Sequence, residues 1–535
     1  MFSDYLKTPN HTQFNMTLTD CDEICTIITE LNSNKSSGPN SIPTEILKLM
    51  KHEISHPLSI IFNLSFSSGA HPKMLRLSKV IPIFKKGSRL LSCNYRPISL
   101  LSNINKILEK LVFYRLYKFL DLHNCLYSHQ YGFREKHSTN HALIHITEKI
   151  RESLDNNKKI CGIFVDLQKA FDTVNHNILL KKLDYYGVRG PANDWFRSYL
   201  FERKQYVSVL GFNSAFKIIK HGVPQGSVLG PLLFLIYIND LNICIQNSTV
   251  YHFADDTNLL NIQDDYKKLQ KSINQDLKNL YMWLLANKIS LNCSKTELIF
   301  FKKQATKIPT NIKIKINGTR LLPTNHIKYL GILLDETLSG NYHCKELIKK
   351  LNRANGMLAK ARYYVPTSEL ISIYYAIFSS VMLYGSQIWG QTFSSSIEKI
   401  FKLQKNAVRL ITFSEFRAHT DPLFKELNIL KIRDSITLQN CLLVHDYLHK
   451  NLPANFENYF IAIKDLYPIK TKNSNSGLLF KPFVKTTRYG LNSIKHRSIS
   501  SWNYYSKHLK NTDLFIVLRK DFKKLITDDF ISSYT

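Results

Sequence analysis

Residues 160–165 are apolar without interruption, and the run ends on a carboxylate, Asp166. A short apolar run that stops on a charge predicts a strand buried on both faces that presents one polar group at its end. Eighty-nine residues beyond Asp166, residues 249–253 and 257–260 predict two short strands joined through Ala254-Asp255-Asp256. The spacing is long enough to bring the strands side by side, so the chain must carry three aspartates to one edge of a buried sheet. An Asp-Asp pair alone is ordinary turn chemistry; its company decides what it does.

The surrounding sequence mixes both periodicities. Residues 21–66 predict two helices around a turn at 36–40, and residues 80–84 a strand running into Lys85, Lys86 and Gly87. Helices are expected over 105–122, 170–186, 191–200, 229–240 and 269–285, and strands over 205–209, 298–301 and 328–334. That mixture predicts an α+β unit. Beyond residue 345 strands nearly vanish, and 347–364, 369–384 and 397–411 predict amphipathic helices, the first bearing Lys349, Lys350, Arg353, Lys360 and Arg362. A Lys, Asn and Ser rich stretch at 470–477 is expected to set off a small C-terminal unit.

Charge narrows the partner. The chain has 72 Lys+Arg against 41 Asp+Glu, a net charge of +31, which predicts association with a polyanion. A cationic protein of ribosomes or membrane surfaces would share that balance, so motifs must decide. The nine cysteines are scattered, and Cys21 and Cys25, close together, lack a second Cys/His pair. They are read as reduced core residues. No stretch reaches the roughly 18 apolar residues of a membrane span, and the polar N-terminus has no signal-like core. An intracellular protein is expected.

Forming a phosphodiester requires charge stabilisation at both the attacking and the leaving oxygen, which two divalent cations provide. Magnesium binds through one or two carboxylates plus phosphates and water, so a few converging aspartates suffice. Phe164-Val165-Asp166-Leu167-Gln168-Lys169-Ala170-Phe171-Asp172 and Phe253-Ala254-Asp255-Asp256 resemble the two catalytic motifs of reverse transcriptases. In order with them, Gly222-Val223-Pro224-Gln225-Gly226 resembles the family's Pro-Gln-Gly motif. Asn94-Tyr95-Arg96-Pro97-Ile98-Ser99 and Gln130-Tyr131-Gly132-Phe133-Arg134 resemble its fingers motifs. Leu291-Asn292-Cys293-Ser294-Lys295-Thr296 and Tyr329-Leu330-Gly331-Ile332 resemble two later motifs. Residues 35–43 are similar to an N-terminal extension of the non-long-terminal-repeat, LINE-type and jockey-like branch, with Asn40 where the family commonly has Asp.

The resemblance implies a right-hand polymerase: an N-terminal extension over 1–59, fingers and palm over 60–335, a helical thumb over 336–415 and a helical extension over 416–535. It implies RNA-directed DNA synthesis, with Asp166, Asp255 and Asp256 holding two Mg²⁺ ions, or Mn²⁺ as a substitute, and Lys295 as general acid. Arg96, Lys85 and Lys86 would meet the triphosphate, Phe171 would exclude the ribose 2′-hydroxyl, and Gln225 would contact nucleotide and template. Gly226, Tyr329, Leu330, Gly331 and Arg134 would line the template and primer. Partners are then an RNA template, a DNA primer or nicked target DNA, and deoxynucleoside triphosphates, in a ribonucleoprotein of nucleus and cytoplasm. No endonuclease-like region or metal knuckle is recognised, so the chain reads as part of an element. Alternatives within the resemblance are a catalytically silent RNA-binding relic and a maturase-like protein, against which the intact aspartates and the 35–43 segment argue.

Overall fold

In chain order the strands are β1 (Leu77–Phe84), β2 (Tyr95–Leu100), β3 (Lys159–Val165), β4 (Lys204–Val209), β5 (Phe212–Asn213), β6 (Lys217–Ile218), β7 (Ser248–Phe253), β8 (Asp256–Gln263), β9 (Glu297–Phe301), β10 (Ile314–Ile316), β11 (Thr319–Leu321), β12 (His326–Tyr329) and β13 (Ile332–Asp335). The computed structural model describes residues 2–6, 9–39, 42–390, 394–466, 477–508 and 516–535. One antiparallel sheet has the order β7-β8-β3-β9. A second has the order β2-β1-β4-β5, with β6 on β4 and with β1 and β4 parallel. β10-β11 and β12-β13 are separate hairpins.

The first sheet is a wall between two hydrophobic cores, as alternation of side chains along a strand requires when both faces are covered. Cys161, Ile163 and Val165 of β3 face one core with Val250, Leu259, Leu298 and Phe300. Ile160 and Phe164 face the other with Tyr251, Leu260, Ile299 and Phe301. The helices Asn103–Leu122, Leu229–Ile238 and Tyr266–Ala286 close the first core. Thr139–Asp155, Asn341–Ala361 and the helices that follow close the second.

The long helix starts at Asn103 because Ser102 caps it, its side chain accepting from Asn105 N–H. Residues 170–186 do not form one helix: a short turn, Ala170–Asp172, precedes His176–Tyr185, which Asn175 caps. Residues 328–334 form a hairpin rather than a strand. Residues 369–384 are broken by a wide turn, Tyr374–Ser379, between Thr367–Ile373 and Ser380–Leu383. Of the cysteines, all free, Cys161, Cys244, Cys344 and Cys441 are buried, but Cys93 is exposed, so the core reading holds for only some. Among the described residues no helix is long and apolar enough to cross a membrane.

The C-terminal segment does not stand apart. The Glu148 carboxylate accepts from the backbone N–H of Ile494 at 2.7 Å and of Lys495 at 3.1 Å. Asp155 accepts from Lys485 N–H at 2.9 Å, Thr486 N–H at 2.7 Å and the Thr486 hydroxyl at 2.6 Å. Tyr489, Ile494 and Trp502 then share the second core with the sheet. Residues 470–476 of the expected linker, and Asn40 and Ser41 of the 35–43 motif, lie outside the described residues.

Candidate active site

β7 and β8 pair Phe253 with Asp256, which leaves Ala254-Asp255 as a two-residue turn. β3 pairs Val165 with Thr257, so Asp166 leaves the sheet beside Asp256. The predicted strand pair and its three aspartates are therefore brought to one edge. Ala254 has a φ of 55°, a left-handed conformation that costs a non-glycine residue about 1 kcal/mol. The segment before Phe133 stabilises it. Gln130 Oε1 accepts from Ala254 N–H at 3.0 Å and Gly132 N–H at 2.9 Å, Tyr131 N–H donates to His252 O, and His252 N–H to His129 O. A Cβ on Gly132 would lie 2.4 Å from Ala254 N, which is why this strut needs glycine there.

Asp166 is tethered. Its Oδ2 accepts from Asn292 Nδ2 at 2.7 Å and faces Lys295 Nζ at 3.9 Å, and its carbonyl accepts from Asn292 N–H at 2.9 Å. Asp255 and Asp256 open to solvent on a floor otherwise surrounded by protein. Among the described residues no side chain donates to either. Desolvation first, then the charges of Asp255 and Asp166, push Asp256 up to about 6. Asp255 is raised by desolvation and by Asp166, with Lys85 and Arg96 opposing. Among the described residues no three His, Cys, Asp or Glu groups form a ready metal cage. The donor set is nonetheless oxygen only, crowded in negative charge and open, which suits a hard cation completed by phosphate and water.

Across from these carboxylates stand Lys85, at the end of β1, and Arg96, opposite Ile83 in β2. The ammonium whose field reaches both Asp255 and Asp256 is that of Lys85; Lys86, next along, is exposed. The whole second sheet lies between Glu53 and Glu109 and between Glu202 and Asp240, two stretches without a single acidic residue. The charged side chains of its strands, Lys79, Arg96, Lys204 and Lys217, are all cationic.

The Gly222–Gly226 loop is laced to its neighbours. Gly222 N–H donates to Val174 O, Val223 N–H to Phe171 O, and Ser99 N–H to Gln225 O at 2.7 Å. Gln225 Nε2 donates to Asp172 at 2.9 Å. Gly226 has a φ of 117°, and a Cβ there would lie 2.6 Å from Ser99 O. Phe171 is half-buried, stacked on Phe234 at 4.5 Å and edge-on to Phe133 at 6.3 Å. Beneath the loop lies Glu109, which sequence reasoning passed over. Its one signal was position: it occupies the stripe of Asn105, Val112 and Leu116, where a buried helix face calls for an apolar residue.

Two expected contacts are not brought to the cleft. The Arg134 guanidinium donates to Tyr127 O at 3.0 Å and pairs with Asp121 at 3.5 Å, which turns it into the protein. Tyr329 is buried against Phe164, at 5.5 Å between rings, because β12 alternates and places it inward. Only the turn Leu330-Gly331 reaches the surface; both residues have positive φ, and Tyr384 donates its hydroxyl to Leu330 O at 2.5 Å.

Residues 83–334 match the family model described as reverse transcriptase (RNA-dependent DNA polymerase). The chain is 29% identical over 463 residues to a probable RNA-directed DNA polymerase from transposon BS of Drosophila melanogaster, covering 81% of this chain and 49% of that protein. It is 27% identical over 447 residues to the RNA-directed DNA polymerase from mobile element jockey of Drosophila melanogaster, covering 81% and 48%. The chain thus spans about half the length of these relatives. A solved telomerase from Candida albicans with a fragment of telomeric RNA is 13% identical, with 74% of this chain and 73% of that one covered and a TM-score of 0.39.

Proposed function

Because the chain belongs to the jockey-like reverse transcriptases of non-long-terminal-repeat retrotransposons and has their right-hand fold, we propose that it copies RNA into DNA. The observation that carries this reading is the convergence of Asp166, Asp255 and Asp256 at one edge of the palm sheet, facing Lys85 and Arg96. Two Mg²⁺ ions, for which Mn²⁺ would substitute, would be held by Asp166 and Asp255 with Asp256 in support. Bound there they supply charge stabilisation for the attacking and leaving oxygens.

The protein's own groups do the rest by placement. Arg96 and Lys85 draw in the triphosphate, and Phe171, braced by Phe234, presents a ring edge where a ribose 2′-hydroxyl would sit. Gln225 and Gly226 meet the nucleotide and template base. Lys295, tethered beside Asp166, gives a proton to the departing pyrophosphate. The Leu330-Gly331 backbone abuts the primer end. The acid-free second sheet receives the RNA template, and the primer is a DNA end, supplied as such or by a nicked target. We assign fingers and palm to 60–335, thumb to 336–415 and the extension to 416–535, and place the protein in a ribonucleoprotein of nucleus and cytoplasm.

Primer extension on poly(rA)/oligo(dT) with Mg²⁺ tests the proposal. Extension by the intact protein and none by Asp255→Ala plus Asp256→Ala is expected. No extension by either, with tight template binding retained, would make the protein an RNA-binding relic.

A further inference from the structure

Glu109 is completely buried, midway along the helix Asn103–Leu122. Three donors converge on it. Oε1 accepts from Asn105 Nδ2 at 3.0 Å and from the Tyr199 hydroxyl at 2.8 Å, and Oε2 accepts from Val228 N–H at 2.6 Å. Burial pushes Glu109 above its ordinary value, and the donors on both oxygens oppose this by favouring the ionised carboxylate over the acid. Arg203, itself 1% exposed, lies over the Tyr199 ring at 4.7 Å and supplies the counter-charge. The network continues outward through Asn105 Oδ1 to His71 Nε2 at 3.0 Å.

Val228 is two residues beyond Gly226 and directly precedes the helix Leu229–Ile238, so the carboxylate also lies where the helix dipole favours negative charge. An apolar side chain would fill the same volume without holding Val228. The carboxylate holds the Pro-Gln-Gly loop from below, while Ser99 N–H holds Gln225 O from the side and Gly226 leaves no room for drift. The two anchors have one element between them, the peptide segment that presents Gln225 and Gly226 to the cleft.

We propose that Glu109 is a positioning residue for nucleotide binding, acting through Val228 on the Gln225-Gly226 segment; the inference rests on the polymerase reading above. It belongs with nucleotide affinity rather than with chemistry, because nothing in the network touches Asp166, Asp255 or Asp256.

The test compares Glu109→Gln with Asn105→Ala, which loosens the same pocket but leaves the bond to Val228. Single-nucleotide extension on poly(rA)/oligo(dT) gives KM and kcat for dTTP. Glu109→Gln should raise KM about tenfold with kcat within about threefold, as a charge-assisted hydrogen bond to Val228 N–H gives way to a neutral and poorly matched one; Asn105→Ala should hold KM within about twofold. A fall in kcat with KM unchanged, or an equal KM rise in both variants, overturns the proposal. Amide exchange gives a readout without activity: residues 222–228 should exchange about tenfold faster in Glu109→Gln, with 250–260 unchanged. Equal exchange, or a uniform rise across the chain, overturns it. An intact protein that does not extend primers defeats the polymerase reading instead, and exchange still decides whether Glu109 fixes the loop.

Discussion

The β7-β8-β3-β9 sheet carries carboxylates at its edge, the helix Thr139–Asp155 behind it carries others, and the two sets are bonded in opposite ways. At the back, Glu148 and Asp155 are filled by backbone N–H groups of the C-terminal segment. Burial raises Glu148 in spite of its donors, whereas the Lys485 and Thr486 donors outweigh burial at Asp155 and hold it below its ordinary value. At the front, Asp255 and Asp256 receive no side-chain donor among the described residues, and desolvation with mutual repulsion raises both. A carboxylate filled by its own chain fastens two segments together. One left open among like charges favours an arriving cation, and its removal should relieve the fold.

The largest effect should fall at the front. Asp255→Ala plus Asp256→Ala should lower extension by at least about 10³-fold, with an unchanged or higher urea midpoint; a clear fall in that midpoint would erase the contrast. Next comes the back, where Glu148→Ala strands the two N–H groups and removes the counter-charge of Arg151, which is buried one helical turn away. Removing one partner from a buried charged cluster costs about 3–5 kcal/mol, read by urea denaturation, and a loss below about 1 kcal/mol would show that Glu148 does not fasten the tail.

Acid should separate the two sides by sign. Burial pushes His252 down to about 3 and His145 and His137 down to about 4. The unfolded chain protonates first, near 6.5, so the stability from these histidines is complete above that value and is lost as pH falls from about 6.5 toward 4. Asp256 works the other way, since its raised carboxyl protonates more readily in the folded state, between about 6 and its ordinary value. His71 is likewise pushed down to about 3 and His343 to about 4, so the buried histidines outweigh Asp255 and Asp256 and the melting temperature should fall between pH 6.5 and 4.5; a flat or rising profile would mean that the histidines are not held neutral. The smallest change is Tyr384→Phe, which removes the bond to Leu330 O and should cost about 1 kcal/mol or less, again by urea denaturation. No change would leave the Leu330-Gly331 turn held by its own hairpin.

The convergence of the three aspartates on one sheet edge was legible because its signals are local. β3 is nearly all buried, so its apolar run shows plainly, and Asp166 and Asp255 sit where strand ends and turns place polar groups. Arg134 and Tyr329 were misplaced because a motif gives order along the chain and not the direction of a side chain. Strand alternation turned Tyr329 inward, and Asp121 drew Arg134 away. The helix Thr139–Asp155 and the hairpin β10-β11 were passed over, and both are short of distinctive motifs. Glu109 was invisible for a different reason: its partner Val228 lies 119 residues away, and a glutamate on a helix reads as surface until that contact is known.

The two-sided sheet has a consequence for how the molecule is made. Part of the core on its second face comes from residues such as Tyr489, Ile499, Trp502 and Phe522, which leave the ribosome long after β3. Until they arrive, Ile160, Phe164, Ile299 and Phe301 lack part of their core, and a nascent chain must wait with sticky strands exposed. A chain cut before residue 485 should therefore leave that face of the sheet partly open and prone to aggregate, so that its order is completed last by residues far along the chain.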